Sequence, residues 1–240
     1  MARYGQYCPI AKALELLGER WTLLIVRELL MGSRRFNELR RGVPLMSPSM
    51  LSQRLRTLTE AGVVVREAGS STVTPEYHLT PAGEELRPLI LQLGTWGQRW
   101  SRSTMAANDL DASFLMWDIR RNVRADKLPE RRTVIYFEYP DAKKTMRRWW
   151  LVVDRGEVDL CLEDPGFEVD VMIGASLATM TRVWMGDLPL GEARAAGLVK
   201  ILGARHLARS VGDWLGLSPF ASVAPARQAG SATSPPDRLA

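Results

Sequence analysis

Ser47-Pro48 opens the stretch SPSMLSQRLRTLTEAG, and no other segment of the chain leaves so few folding choices. A serine that accepts from the free N–H groups of a first helical turn, followed by a proline whose missing N–H is not needed there, marks a helix start. Leu51, Leu55 and Leu58 recur at helical spacing, so this helix lies with one face on a core, and Gly62 ends it. At about 100° per residue, Ser49, Gln53 and Arg56 point away from that stripe. Ser52 and Thr57 flank them, and Arg54 sits nearer the apolar edge.

The flanking sequence supplies the rest of a small domain. Ile10, Ala13, Leu14 and Leu17 have helical spacing and stop at Gly18. Residues 21–31, WTLLIVRELLM, form a second helix that is apolar almost all round, as a central core helix is. A short third helix spans about 35–40, and Gly42-Val43-Pro44 turns the chain. After the capped helix come β-rich runs at 63–66 and 77–79, joined by a loop at 68–75. Thr80-Pro81 then caps a long helix reaching about Ser103. Two helices about a tight turn, followed by a hairpin, are the layout of a winged helix-turn-helix.

Charge agrees with a polyanionic partner for this half. The 240-residue chain carries a net +5, and all of that excess lies in residues 1–104. Arginines stand at 34, 35, 40, 41, 54 and 56 against the single acid Glu38 between 34 and 56. Arginine pairs with guanine, glutamine with adenine, and serine with bases or phosphate. Arg34, Arg35, Ser47, Ser49, Ser52, Gln53, Arg54 and Arg56 are therefore the candidate contacts to double-stranded operator DNA.

The run from Cys8-Pro9 through Trp21-Thr22, Gly32, RFNEL (35–39), Ser47, Leu51, Arg54-Leu55, Leu58 and Gly62 to LTPAG (79–83) closely resembles the HxlR family of bacterial transcriptional regulators. The likeness spans about the first 100 residues. It implies a homodimer held by the first and last helices, with the capped helix entering the major groove. Two departures stand out. The wing at 68–75 carries no basic residue, and Gly18-Glu19-Arg20 stands where the family often has Gly-Gly-Lys. Some relatives use the cysteine of the Cys-Pro motif as a redox sensor, which makes Cys8 a candidate for that role. The alternative is a small packing residue, and no second cysteine lies near it in sequence.

Beyond about Ala106 the pattern changes. Strands are expected at 134–139, 149–153, 158–162, 169–173 and 198–202, with helices at 176–185, 190–196 and 204–217. Strands followed by helices give an α+β domain. The runs EVDVMIGASLATMTRVWMGD and PLGEARAAGLVKILG resemble a sterol-carrier-protein-like domain, which implies an apolar ligand pocket at Trp149, Met172, Met180 and Trp184. A solid core built from the same residues is the alternative. The expected fold is thus α+β, a winged helix-turn-helix at 1–105, a sterol-carrier-like domain at 110–220 and a disordered tail at 221–240.

Other classes lose ground on composition. Two distant cysteines and two histidines give neither a disulfide framework nor zinc-ligand spacing. No constellation for nucleophilic, metal or paired-carboxylate catalysis is present, so no cofactor is expected and the chain is not read as an enzyme. No apolar run approaches membrane-spanning length, and Glu15 and Glu19 interrupt the N-terminus before a signal peptide could form, so a cytoplasmic location is expected. A regulator with a hydrophobic small-molecule effector is the leading function. The alternative is a carrier of lipids or other hydrophobic small molecules whose first domain only dimerises.

Overall fold

The computed structural model describes residues 4–69, 74–101 and 110–226. The first half contains helices α1 (Pro9–Leu17), α2 (Thr22–Leu30), α3 (Phe36–Gly42) and α4 (Pro48–Glu60), then the hairpin β1 (Val64–Ala68) and β2 (Pro75–Leu79). Ile25 and Leu29 of α2, Leu39 of α3, and Leu51, Leu55 and Leu58 of α4 close a core from which water is almost wholly excluded. The hairpin docks on this core through a third strand-like contact, in which the Tyr77 N–H donates to the Arg34 carbonyl at 2.8 Å.

The long helix expected from Pro81 is three pieces. They are α5 (Pro81–Glu84), α6 (Arg87–Trp96) and a π-helical turn at Gly97–Ser101. Pro88 accounts for the first break: it has no N–H to donate to the Glu84 carbonyl, so one helical ladder cannot run through, and it falls instead in the first turn of α6, where no N–H is needed.

The second half opens with a helix not anticipated from sequence, α7 (Ala112–Asn122), capped by the Asp111 carboxylate on the Ser113 and Phe114 N–H groups. The strands are β3 (Thr133–Glu138), β4 (Arg148–Asp154), β5 (Glu157–Cys161), β6 (Val171–Ala175) and β7 (Val199–Gly203). The helices between and after the last two strands are α8 (Leu177–Trp184), α9 (Leu190–Ala195), α10 (Arg205–Arg209) and α11 (Val211–Trp214). The sheet order is β5-β4-β3-β6-β7, with β3 and β6 parallel and the other neighbours antiparallel. The single helix expected at 204–217 is divided at Ser210, whose hydroxyl turns back to the His206 carbonyl. Residues 221–226, expected to be disordered, are hydrogen-bonded to the rest; the Ala226 N–H donates to the Arg99 carbonyl at 2.8 Å. Residues 227–240 lie outside the described chain.

Strand alternation sorts the second core onto two faces. Phe137, Trp149, Leu151 and Ile173 face the helices, while Tyr136, Trp150 and Met172 face the other way. Tyr139 lies wholly buried, and its hydroxyl donates to the Met116 sulfur at 3.0 Å. Burial alone pushes its pKa far above the ordinary tyrosine value.

The two halves meet through a buried ion pair. Glu28 of α2 is 0% exposed and its carboxylate accepts from Arg27, from Ser33 and, across the seam, from the Trp117 indole at 3.2 Å and Arg121 at 2.7 Å. Arg121 also pairs with Asp118, whose pKa is nonetheless raised because burial outweighs the attraction of Arg121. The guanidiniums of Arg41, Arg120 and Arg121 lie over the Trp117 ring at 5.3, 4.9 and 5.6 Å. A Cβ at Gly42 would overlap the Glu28 carboxylate, so any larger residue there would push that carboxylate from its buried partners. Residues 102–109, between the two halves, lie outside the described chain, and the Glu28 contact joins the halves directly.

Candidate nucleic-acid interface

Helix α4 starts at Ser47, whose Oγ accepts from the Met50 N–H at 3.3 Å. With Leu51, Leu55 and Leu58 sealed in the core, Ser49, Ser52, Gln53 and Arg56 are left exposed on the opposite side. Thr57, expected at the flank, is buried and donates to the Gln53 carbonyl at 3.1 Å. Four candidates thus share one solvent-facing surface, with Ser47 at its N-terminal edge.

The other three arginines are engaged within the domain. The Arg34 guanidinium donates to the Leu29 carbonyl at 2.6 Å, closing the end of α2. Arg35 pairs with Glu76 of β2 at 3.2 Å, and the backbones of the two residues form a bridge. The Arg35 side chain therefore fastens the hairpin to the helices, while the Arg34 side chain stays within the end of α2 and only its backbone carbonyl meets the hairpin. Arg54 is 20% exposed and pairs with Glu19 at 2.7 Å. That acid is the departure from Gly-Gly-Lys, and its role is to hold Arg54 against the α1–α2 turn.

Arg54→Ala is accordingly expected to lower stability by about 1 kcal/mol, a partly buried ion pair lost together with stem packing. Urea denaturation checks it; an unchanged midpoint would return Arg54 to the DNA-facing set.

Two cations escaped the sequence-based choice. Arg66 is exposed in the middle of β1, opposite Tyr77, so the hairpin carries a positive charge outside its loop at 68–75. The strand alternation at 63–66 was the available signal. Arg40 is exposed on α3, and its side chain makes neither ion pair nor hydrogen bond among the described residues.

Residues 16–105 match the family model described as HxlR-like helix-turn-helix. The HTH-type transcriptional regulator YvaP of Bacillus subtilis is 38% identical over 113 residues, which cover 46% of this chain and 96% of YvaP. The chain belongs to the HxlR-like helix-turn-helix family.

The HTH-type transcriptional regulator Rv3095 of Mycobacterium tuberculosis is 47% identical over 92 residues, 38% of this chain and 58% of that relative's length. Among solved structures, the reduced form of the regulator YodB from B. subtilis is 33% identical over 39% of this chain and 93% of that one, with a TM-score of 0.35. The HxlR-like match ends before α7, so the sheet-bearing half lies outside it.

Cys8 is the N-terminal flanking residue of α1 and is half-buried with a free thiol. The other thiol, Cys161, ends β5, and burial pushes its pKa up. The four residues expected to line a ligand pocket do not share one wall. Trp149, Met180 and Trp184 belong to the main core, where Trp149 also reaches the wall of a cavity, while Met172 packs on the opposite face of the sheet beside Tyr136 and Trp150. The reason is the two-residue period of β6, which sends Met172 away from Val171 and Ile173. Among the described residues, no group of three or more His, Cys, Asp or Glu is placed to hold a metal ion. No described helix is long and apolar enough to cross a membrane.

Proposed function

We propose that this HxlR-like protein regulates transcription by binding operator DNA as a homodimer, reading bases with Ser49, Ser52, Gln53 and Arg56 of α4. The observation that carries the reading is the division of α4 into a leucine face buried in the core and a Ser/Gln/Arg face left to solvent. Ser47 and the free N–H groups at the helix start would hold a phosphate, and Arg66 would add a contact from the hairpin. Two related half-sites, about one helical turn or a multiple of it apart, match such a dimer.

The experiment is a gel shift on the protein's own promoter region over a range of salt. Affinity should fall steeply as salt rises, because each neutralised phosphate releases counterions. Arg56→Ala and Gln53→Ala should each weaken specific binding by about 1–3 kcal/mol with the fold intact. Variants that bind like the unaltered protein would remove α4 from the groove. Absence of any shift would favour the carrier reading, in which the first half serves only to dimerise.

The second half, about 110–220, is read as a sterol-carrier-like domain that answers to a hydrophobic effector. Supporting it is the order β6, α8, the Gly186-Asp187 turn, α9, β7, the sequence of elements that the resemblance implies. Cys8 is read as a packing residue beside the exposed face of α1.

A further inference from the structure

We infer that the groove between the two halves binds a single-chain apolar carboxylate, a reading that rests on the proposed effector control and names its site and ligand class. Two cavities, of about 480 and 900 Å³, lie in the seam between the helix-turn-helix and the sheet domain, and one more, of about 410 Å³ and lined by second-half residues alone, adjoins both. The largest is walled by Arg40, Arg41 and Pro48 on one side and by Met146, Trp149 and Leu160 on the other. It shares Met146 with the smallest, which in turn shares Lys143 with the third. A space of this size, apolar with a few polar groups, is what small-molecule sites offer.

The chemistry of the walls selects the ligand. The sulfur, indole and leucine surfaces suit a hydrocarbon chain. The acids and the cations on the walls differ in what they already hold. Asp111 accepts from the N–H groups of Ser113 and Phe114, and Asp164 accepts from the Gly166 N–H. Glu163 is exposed and is the remaining acid of the largest cavity. Arg40 and Lys143 have neither ion pair nor hydrogen bond from their side chains among the described residues. The Arg41 guanidinium lies 5.3 Å from the centre of the Trp117 ring, and its N–H groups make neither ion pair nor hydrogen bond among the described residues. An anionic head group therefore finds donors that no protein acid occupies, and charge-assisted bonds to arginine are the stronger kind.

Position gives the site a consequence. Pro48 is the first residue of α4, so a ligand in the groove touches the start of the DNA-facing helix and the sheet domain together. Occupancy can bias operator affinity only through a difference between the two placements of these parts.

The test uses the full-length protein and sodium dodecanoate below its micelle concentration, followed by calorimetry, with dodecan-1-ol as the uncharged probe. Saturable binding of one dodecanoate per chain is expected, with dodecanol weaker. Arg40→Ala should weaken dodecanoate by about tenfold and leave dodecanol within about twofold, since only the charged head uses the guanidinium. Leu162→Glu, at an exposed wall position, should weaken dodecanoate as well by adding a like charge. No saturable binding, equal affinity for the alcohol, or indifference to both substitutions would each overturn the proposal. A gel shift without dodecanoate is read separately, so failure of operator binding is distinguished from failure of the groove.

Discussion

Glu28→Ala is expected to lower the unfolding free energy by about 3–5 kcal/mol, the range for removing one partner of a buried ion pair. The carboxylate has no contact with water and is held by Arg27, Ser33, Arg121 and the Trp117 indole. Its loss leaves Arg121, itself 7% exposed on its side chain, with Asp118 alone as a counter-charge. It also leaves the Trp117 N–H without an acceptor in a dry seam, which costs more than a bond never made. Domains are stable by only about 5–15 kcal/mol, so a loss of this size is a large share of the total. Glu28→Gln keeps the shape and an acceptor oxygen, and should fall between the alanine variant and the unaltered protein. Urea denaturation, followed by tryptophan fluorescence, measures both. If the alanine variant keeps the original midpoint, the seam is not held by this carboxylate.

Trp96→Glu should convert the proposed dimer to a monomer and reduce operator affinity on the order of 100-fold, since a charge buried in an apolar interface costs several kcal/mol. The residue is chosen from the uncovered surface of α6. Leu89, Leu93, Trp96 and Trp100 recur three and four residues apart, and Trp96 and Trp100 are 57% and 62% exposed. Leu86 and Ile90, on the other side, pack against the core. Helix α1 repeats the arrangement with Ile10 and Leu14, Ile10 being 70% exposed. Two apolar stripes at helical spacing, both facing solvent in one chain, match the interface that the HxlR resemblance assigns to the first and last helices. Light scattering at micromolar concentration gives the mass, and the gel shift gives the affinity. A variant that remains dimeric would place the interface elsewhere; a monomer that binds the operator undiminished would separate dimerisation from DNA binding.

The elements that sequence foretold well are those whose signal is local. The Ser47-Pro48 cap and the leucines of α4 lie within one helix, and the burial of Leu51, Leu55 and Leu58 follows from their spacing alone. The strands of the second half were legible within a residue or two because apolar runs bounded by tight turns leave little choice. Helix α7 was not legible. Its apolar residues Phe114–Leu115–Met116–Trp117 are contiguous, which blurs the helical period, and its cap Asp111 follows residues without a clear pattern. Pro88 carried a local signal for the break before α6, but the capped start at Thr80-Pro81 outweighed it.

For the candidate site, sequence determined which helix presents a polar face and which side chains lie on it, because a helix wheel needs only the helix itself. Whether an arginine on or near that face is free depends on partners distant in the chain. Arg54 is taken by Glu19, 35 residues away, and Arg35 by Glu76 in the hairpin. The link between the halves is longer still, since Trp117 and Arg121 reach Glu28 across 89 and 93 residues. Periodicity reports which face is apolar; it carries no information about which charges meet. That was decided only by packing α2, α3 and α7 together, where the low polarity of the seam requires each buried charge to find an opposite one.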